Sequence, residues 1–231
     1  MTLSAPTPPP DRAALRLPGG ADRTVIIGPT GSGKTVAGAW VLSHQRFDTR
    51  PWVALDFKGE EFWDRLPAAA MRPLRLDQLP GKTGLYRLPV HPGDESALED
   101  WMWRVWEREN VGLFCDEVSL IPQRSGFKAI LRQGRSKTIP VIACTQRPVD
   151  CEREVFSESQ FRMCFGIEDD RDYPIVRGLF RHQDIRQALP ERWSYWYDAK
   201  AKRGVTLKPV PPPTRIAASL KQALPVRSWL A

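Results

Sequence analysis

The chain has 231 residues, a formal net charge of +7 and a hydrophobic share of 42%, with nine Trp and nine Phe to fill a core. That size suits one α/β domain with appended tails, and no apolar run approaches the ~20 residues of a transmembrane helix, which excludes helical membrane proteins. The positive balance suits an anionic partner such as nucleic acid, and equally a plain basic protein in solution.

Residues 1–20 are rich in Pro and small residues and read as a flexible arm; they lack the apolar stretch of a secretory leader. The body is expected over 21–208. It opens with the apolar run Val25-Ile26-Ile27, a glycine-rich turn, and a helix from Lys34 to about Gln45. A second strand, Trp52–Leu55, ends at Asp56, and the Pro- and Gly-rich segment 67–92 is expected to wander over the surface. From Ser96, apolar residues Leu98, Trp101, Met102, Val105 and Trp106 recur with helical spacing and mark a buried face, with Ser96 and Glu99 spaced as a capping box. Three more apolar runs, Val111–Cys115, Ile139–Cys144 and Phe161–Ile167, read as strands, with a helix over Phe127–Ser136 between the first two. Strands separated by helices predict a mostly parallel central sheet flanked by helices. A C-terminal β-hairpin is expected from Trp193–Asp198 and Gly204–Leu207. Residues 209–231 read as a C-terminal arm whose short helix carries Ile216, Leu220 and Leu224 on one face. The four cysteines, Cys115, Cys144, Cys151 and Cys164, form no C-x-x-C pair and read as reduced core thiols, which suits the cytoplasm.

The chemistry is concentrated in three places. Gly28-Pro29-Thr30-Gly31-Ser32-Gly33-Lys34-Thr35 satisfies G-x-x-x-x-G-K-[ST] between a strand and a helix. Glycines let backbone N–H groups point at phosphates, the helix N-terminus adds its positive end, Lys34 reaches the β- and γ-phosphates, and the Thr35 hydroxyl binds Mg²⁺. ATP with Mg²⁺ is therefore the expected ligand. The apolar strand before Asp116-Glu117 delivers two carboxylates at its C-terminal end: Asp116 for the metal shell, Glu117 to polarise an attacking water. Gln146 ends the next strand, placed to sense the γ-phosphate or orient that water; an isolated Gln there would more often cap a turn, but the surrounding Thr145-Gln146-Arg147-Pro148 shifts the balance to the catalytic reading.

Together with Asp56-Phe57-Lys58-Gly59-Glu60, Gly134-Arg135-Ser136 and Thr145-Gln146-Arg147-Pro148, these motifs resemble the FtsK–HerA superfamily of DNA-pumping ATPases across residues 23–170. The compact length resembles the genome-packaging ATPases of tailless, membrane-containing icosahedral viruses. The resemblance implies a RecA-like P-loop NTPase fold, a homohexameric ring with ATP between subunits, double-stranded DNA in the central channel, and capsid vertex proteins as further partners in the host cytoplasm. It also implies an arginine supplied in trans, for which Arg135 is the first candidate and Arg132 the second. Asp56 and Lys58 are expected near the nucleotide or a subunit interface.

DNA contacts are less legible. Arg124, Lys128, Arg132, Arg135 and Lys137 cluster on or near one helix, and Arg171, Arg177, Arg181 and Arg186 form a second basic stretch. Trp193, Tyr195, Trp196 and Tyr197 fit packing of the hairpin onto the core better than base stacking, and Trp229 and Leu230 could dock on a neighbour or a vertex. The rival readings are a cellular DNA-transfer or segregation translocase, an ATP-binding assembly switch at a capsid vertex, and a P-loop kinase. The Asp116-Glu117 pair argues against the kinase.

Overall fold

The structure, a computed structural model, describes residues 15–122, 125–167, 169–180, 185 and 189–224. Its sheet is built from β1 (Arg23–Ile27), β2 (Pro51–Asp56), β3 (Met71–Pro73), β4 (Gly84–Pro89), β5 (Gly112–Cys115), β6 (Val141–Thr145), β7 (Phe161–Cys164), β8 (Ser194–Asp198) and β9 (Arg203–Leu207). Their spatial order is β3-β4-β2-β5-β6-β1-β7-β8-β9. Pairings are parallel from β3 through to β7, and only β8 and β9 run antiparallel. Every residue of β1, β2, β5 and β6 is buried. Helices on both faces make this possible, and it explains why these strands read as unbroken apolar runs rather than alternating ones.

Side chains still alternate between two cores. Val25, Ile27, Val53 and Leu55 pack on one face with α3 (Glu95–Arg108) and α4 (Ser125–Gln133). Ile26 and Ala54 pack on the other with α1 (Lys34–Ser43) and α7 (Pro213–Ala223). The hairpin follows the same rule: Tyr195 and Tyr197 join the first core and Trp196 the second, so all three are packing residues. In α7, Ile216, Ala217 and Leu220 are buried in the same core as Ala37, Val41 and Leu42 of α1.

Two expectations are corrected. Segment 67–92 does not wander: it supplies β3 and β4, and Leu85, Tyr86 and Leu88 are buried. A turn at Gly84, whose φ of 102° suits glycine, lets the chain enter the sheet beside β2. The capping box at Ser96 also fails. The residue before α3 is Asp94, whose carboxylate accepts from the His91 N–H, while Glu99 Oε1 accepts from Ser125 Oγ and the Gly126 N–H and ties α3 to α4.

The first residues of the expected N-terminal arm, 1–14, lie outside the described residues, as do Trp229 and Leu230. Arg16 lies on the sheet edge, pairing with Asp198 at 3.0 Å and covering the Phe161 ring. Among the described residues no helix is long and apolar enough to cross a membrane, and no His/Cys/Asp/Glu cluster could hold a metal ion by itself. All four cysteines are free thiols; Cys115, Cys144 and Cys164 are buried and Cys151 is partly so.

Candidate functional site

Strand order creates the site. β6 stands between β1, which runs into the P-loop, and β5, which ends at the carboxylates. Segments following these three parallel strands therefore meet at one edge of the sheet, where open α/β folds hold ligands.

The P-loop bends as its glycines require. Gly31 and Gly33 have φ of 78° and 93°, a region that costs other residues conformational energy. Gly28 is needed for closeness instead: a Cβ there would lie 2.7 Å from Ser32 Oγ and 2.9 Å from the Phe165 Cβ. Lys34, the first residue of α1, is buried, and its Nζ donates to the Pro29 carbonyl at 3.4 Å. Burial lowers its pKa, while Glu117 acts in the opposite sense. Thr35 follows on the first turn of the helix, half-buried.

Asp116 and Glu117 lie side by side in different environments. Asp116 is 2% exposed; burial, with Asp56 nearby, pushes its pKa up to about 7. Its Oδ1 accepts weakly from the Phe57 N–H at 3.4 Å, and its Oδ2 is buried with no hydrogen-bond partner among the described residues. Glu117 is saturated. Its Oε1 accepts from Ser119 Oγ at 2.8 Å and the Gln146 N–H at 3.3 Å; its Oε2 accepts from Lys58 Nζ at 2.8 Å and Gln146 Nε2 at 2.9 Å. Burial raises its pKa, but the bonds from Lys58 and Ser119 outweigh that and leave it below the usual carboxylate value.

Gln146 is the hinge of this network rather than a turn cap. It donates to Glu117 and accepts from the Thr30 hydroxyl of the P-loop, so one amide joins the P-loop to the carboxylate. Asp56 has a supporting role: its Oδ1 accepts from the N–H groups of Gly59 and Glu60 and its Oδ2 pairs with Arg87 at 2.6 Å. These bonds fix the loop that aims Lys58 at Glu117. The sequence leaves Lys58 either near the nucleotide or at a subunit interface, and no local signal supplies its partner Glu117.

A cavity of about 540 Å³ covers the P-loop, within the size range of small-ligand sites. Lys34, Thr35, Lys58, Asp116 and Gln146 line it, together with Phe165, Arg192 and the run Pro209–Pro213. The second group escaped sequence reading, because only the pairing of β7, β8 and β9 brings it to this edge. The residues present fit a magnesium nucleotide. Ser32 and Asp116 line the cavity, and Ser32 Oγ and Asp116 Oδ2 are buried without a hydrogen-bond partner among the described residues, orphans that a phosphate and a hydrated cation would satisfy.

The arginines lie elsewhere. Arg135 is exposed in the turn after α4, before the N-terminal end of β6 and beside Arg23, at the sheet edge opposite its own P-loop. Arg132 is paired with Glu154. Lys128 pairs with Glu152 and Lys137 with Glu109, so much of the first basic stretch is neutralised within the chain; in the second, Arg171 pairs with Asp169. Arg177 is exposed, while Arg124, Arg181 and Arg186 lie outside the described residues.

No protein-family model matches the chain. A curated relative, the DNA packaging ATPase P9 of Enterobacteria phage PRD1, is 35% identical over 209 residues, covering 85% of this chain and 91% of P9. Among solved structures, the genome packaging NTPase B204 of Sulfolobus turreted icosahedral virus 2, in complex with ATP-gammaS, superposes with a TM-score of 0.64 at 14% identity, over 83% of this chain and 98% of B204. The cytoplasmic domain of the type VII secretion ATPase EccC of Thermomonospora curvata gives 0.57 at 17% identity, over 92% of this chain and 30% of that one. At such identities the two structures share the fold; the PRD1 protein shares the family.

Proposed function

This chain belongs to the family of the DNA packaging ATPase P9 of Enterobacteria phage PRD1, and from that premise we propose that it hydrolyses ATP to drive double-stranded DNA into a preformed viral capsid. The observation that carries the reading is the pair Asp116 and Glu117, buried at the mouth of the P-loop, one with a bare oxygen and one held to Gln146.

The P-loop N–H groups and Lys34 hold the triphosphate, as the curled backbone and helix N-terminus favour. Thr35 and Asp116 would hold a magnesium ion, which when bound neutralises charge on the phosphates. Glu117 orients a water and accepts its proton on a carboxylate oxygen as the water oxygen bonds to the γ-phosphorus; the bond to the β–γ bridging oxygen breaks and ADP leaves. Gln146 keeps Glu117 in register with the P-loop while the γ-phosphate is present. Lys58 must give up its bond before Glu117 can accept the proton, since both carboxylate oxygens are already engaged.

The working form is a homohexameric ring around DNA, seated at a capsid vertex in the host cytoplasm. Arg135 serves the neighbour's nucleotide, which its place at the far edge of its own sheet favours. The test is phosphate release with and without double-stranded DNA and without any added acceptor, beside Glu117→Gln. Stimulation by DNA that the variant loses is the expected result. Turnover that ignores DNA would remove the translocase reading. Turnover only with a phosphoryl acceptor would make the chain a kinase.

A further inference from the structure

Three segments meet on the side of the P-loop away from the carboxylates. In the sheet, β6 and β5 lie on one side of β1, and β7, β8 and β9 on the other. Phe165, directly after β7, donates its N–H to the Ile27 carbonyl at 2.9 Å and so sits against the start of the P-loop. β8 is antiparallel to β7, with Tyr195 opposite Cys164, so the residues before β8 come to the same edge. β9 is antiparallel to β8, with Leu207 opposite Ser194, which brings Pro209 and its successors back beside Arg192. Phe165, Arg192, Val210 and the prolines thus form a wall of the P-loop cavity facing away from Asp116 and Glu117.

Resting on the ATPase reading above, we infer that this wall takes the base of the nucleotide and recognises it by shape rather than by hydrogen bonding, so that the site accepts purine triphosphates with little preference between adenine and guanine. The triphosphate has a direction. Its γ-end must lie toward the carboxylates and Gln146, on the β5–β6 side, so its base extends toward the β7–β9 side. Phenylalanine, valine and proline offer apolar faces without a polar side-chain atom, and proline has no N–H. The Pro212 carbonyl is already occupied by the Arg215 and Ile216 N–H groups. The wall's one charged side chain, Arg192, can only donate, and both purines present ring-nitrogen acceptors to a donor. Sites that reject an analogue strongly do so by leaving a dedicated polar partner unpaired, and these side chains include no acceptor for the adenine amino group. Arg192 also holds a left-handed backbone, φ 61°, the sort of strain that collects at ligand sites.

The test is calorimetric binding of ATP, GTP and inorganic tripolyphosphate to the full chain carrying Glu117→Gln, which blocks turnover, with and without Val210→Asp. ATP and GTP should bind within about threefold of each other. Val210→Asp should weaken both by about tenfold, since it puts a charge on an apolar contact, and leave tripolyphosphate within about twofold. Retained tripolyphosphate binding shows that the fold is intact. If Val210→Asp lowers the melting temperature, Val210→Ser is the milder cut in the same wall. Equal loss of all three ligands would assign the wall to the phosphates, no loss would put the base elsewhere, and ATP binding some thirtyfold tighter than GTP would mean the wall reads the base edge; each overturns the inference. Failure of the P-loop reading has its own signature: Lys34→Ala would leave all three affinities unchanged.

Discussion

Lys58 Nζ lies 2.8 Å from Oε2 of Glu117, a residue 59 positions further along the chain. Together with Ser119 and Gln146 it leaves the carboxylate no oxygen free of a donor. If Glu117 takes the proton of the attacking water, as proposed above, these bonds hold it in place and also restrain it. Lys58, 35% exposed, is the donor with room to leave.

Lys58→Met should therefore raise DNA-independent phosphate release by about tenfold, because one charge-assisted hydrogen bond is worth about 1.5 kcal/mol. Stimulation by DNA should shrink in proportion. A basal rate at or below that of the unmodified protein would mean that Lys58 serves hydrolysis directly.

Gln146→Ala cuts the link between Thr30 and Glu117 without touching Lys34, the residue proposed to hold the phosphates. The rate at saturating ATP should fall by about a hundredfold, typical of a misplaced catalytic group, with ATP affinity within about threefold. Steady-state kinetics beside equilibrium binding separates the two quantities.

Asp116 carries the cost of burial beside Asp56 with one oxygen bare. Asp116→Asn removes that charge and should stabilise the nucleotide-free protein at pH 8 by about 1 kcal/mol while abolishing turnover. Thermal melts in chelator read the gain; a lower melting temperature would show that the carboxylate is better compensated than its surroundings indicate.

Arg135→Ala should bind ATP normally and fail to hydrolyse it. Mixed with Lys34→Ala, it should recover phosphate release, because intact P-loops then face intact arginines across subunit boundaries. An inactive mixture would remove Arg135 from the trans role.

Gly112 pairs with Trp52 across β5 and β2, and a Cβ at Gly112 would lie 2.3 Å from the indole ring. Gly112→Ala should destabilise the fold by about 1–3 kcal/mol, the usual range for overpacking a core. Urea unfolding at constant slope measures it.

The buried parallel strands were legible because burial on both faces leaves a short unbroken apolar run bounded by turn residues, as in Val25–Ile27 and Leu113–Cys115. β4 was hidden by its flanking Gly84 and Pro89, which read locally as turn residues although Leu85 and Leu88 are core. Lys34, Asp116 and Glu117 could be named from motifs whose geometry is local to one loop. The partners of Lys58, Thr30 and Gln146 could not, since they depend on which strands become neighbours. The wall of Phe165, Arg192 and Pro209–Pro213 depends further on the register of a hairpin, which no residue in those segments announces.

The packing of α7 along α1 has a mechanical side. α1 begins at Lys34 of the P-loop, and Ile216, Ala217 and Leu220 pack in one core with its Ala37, Val41 and Leu42. Displacing α7 would therefore disturb the flank of the helix that starts at the P-loop lysine.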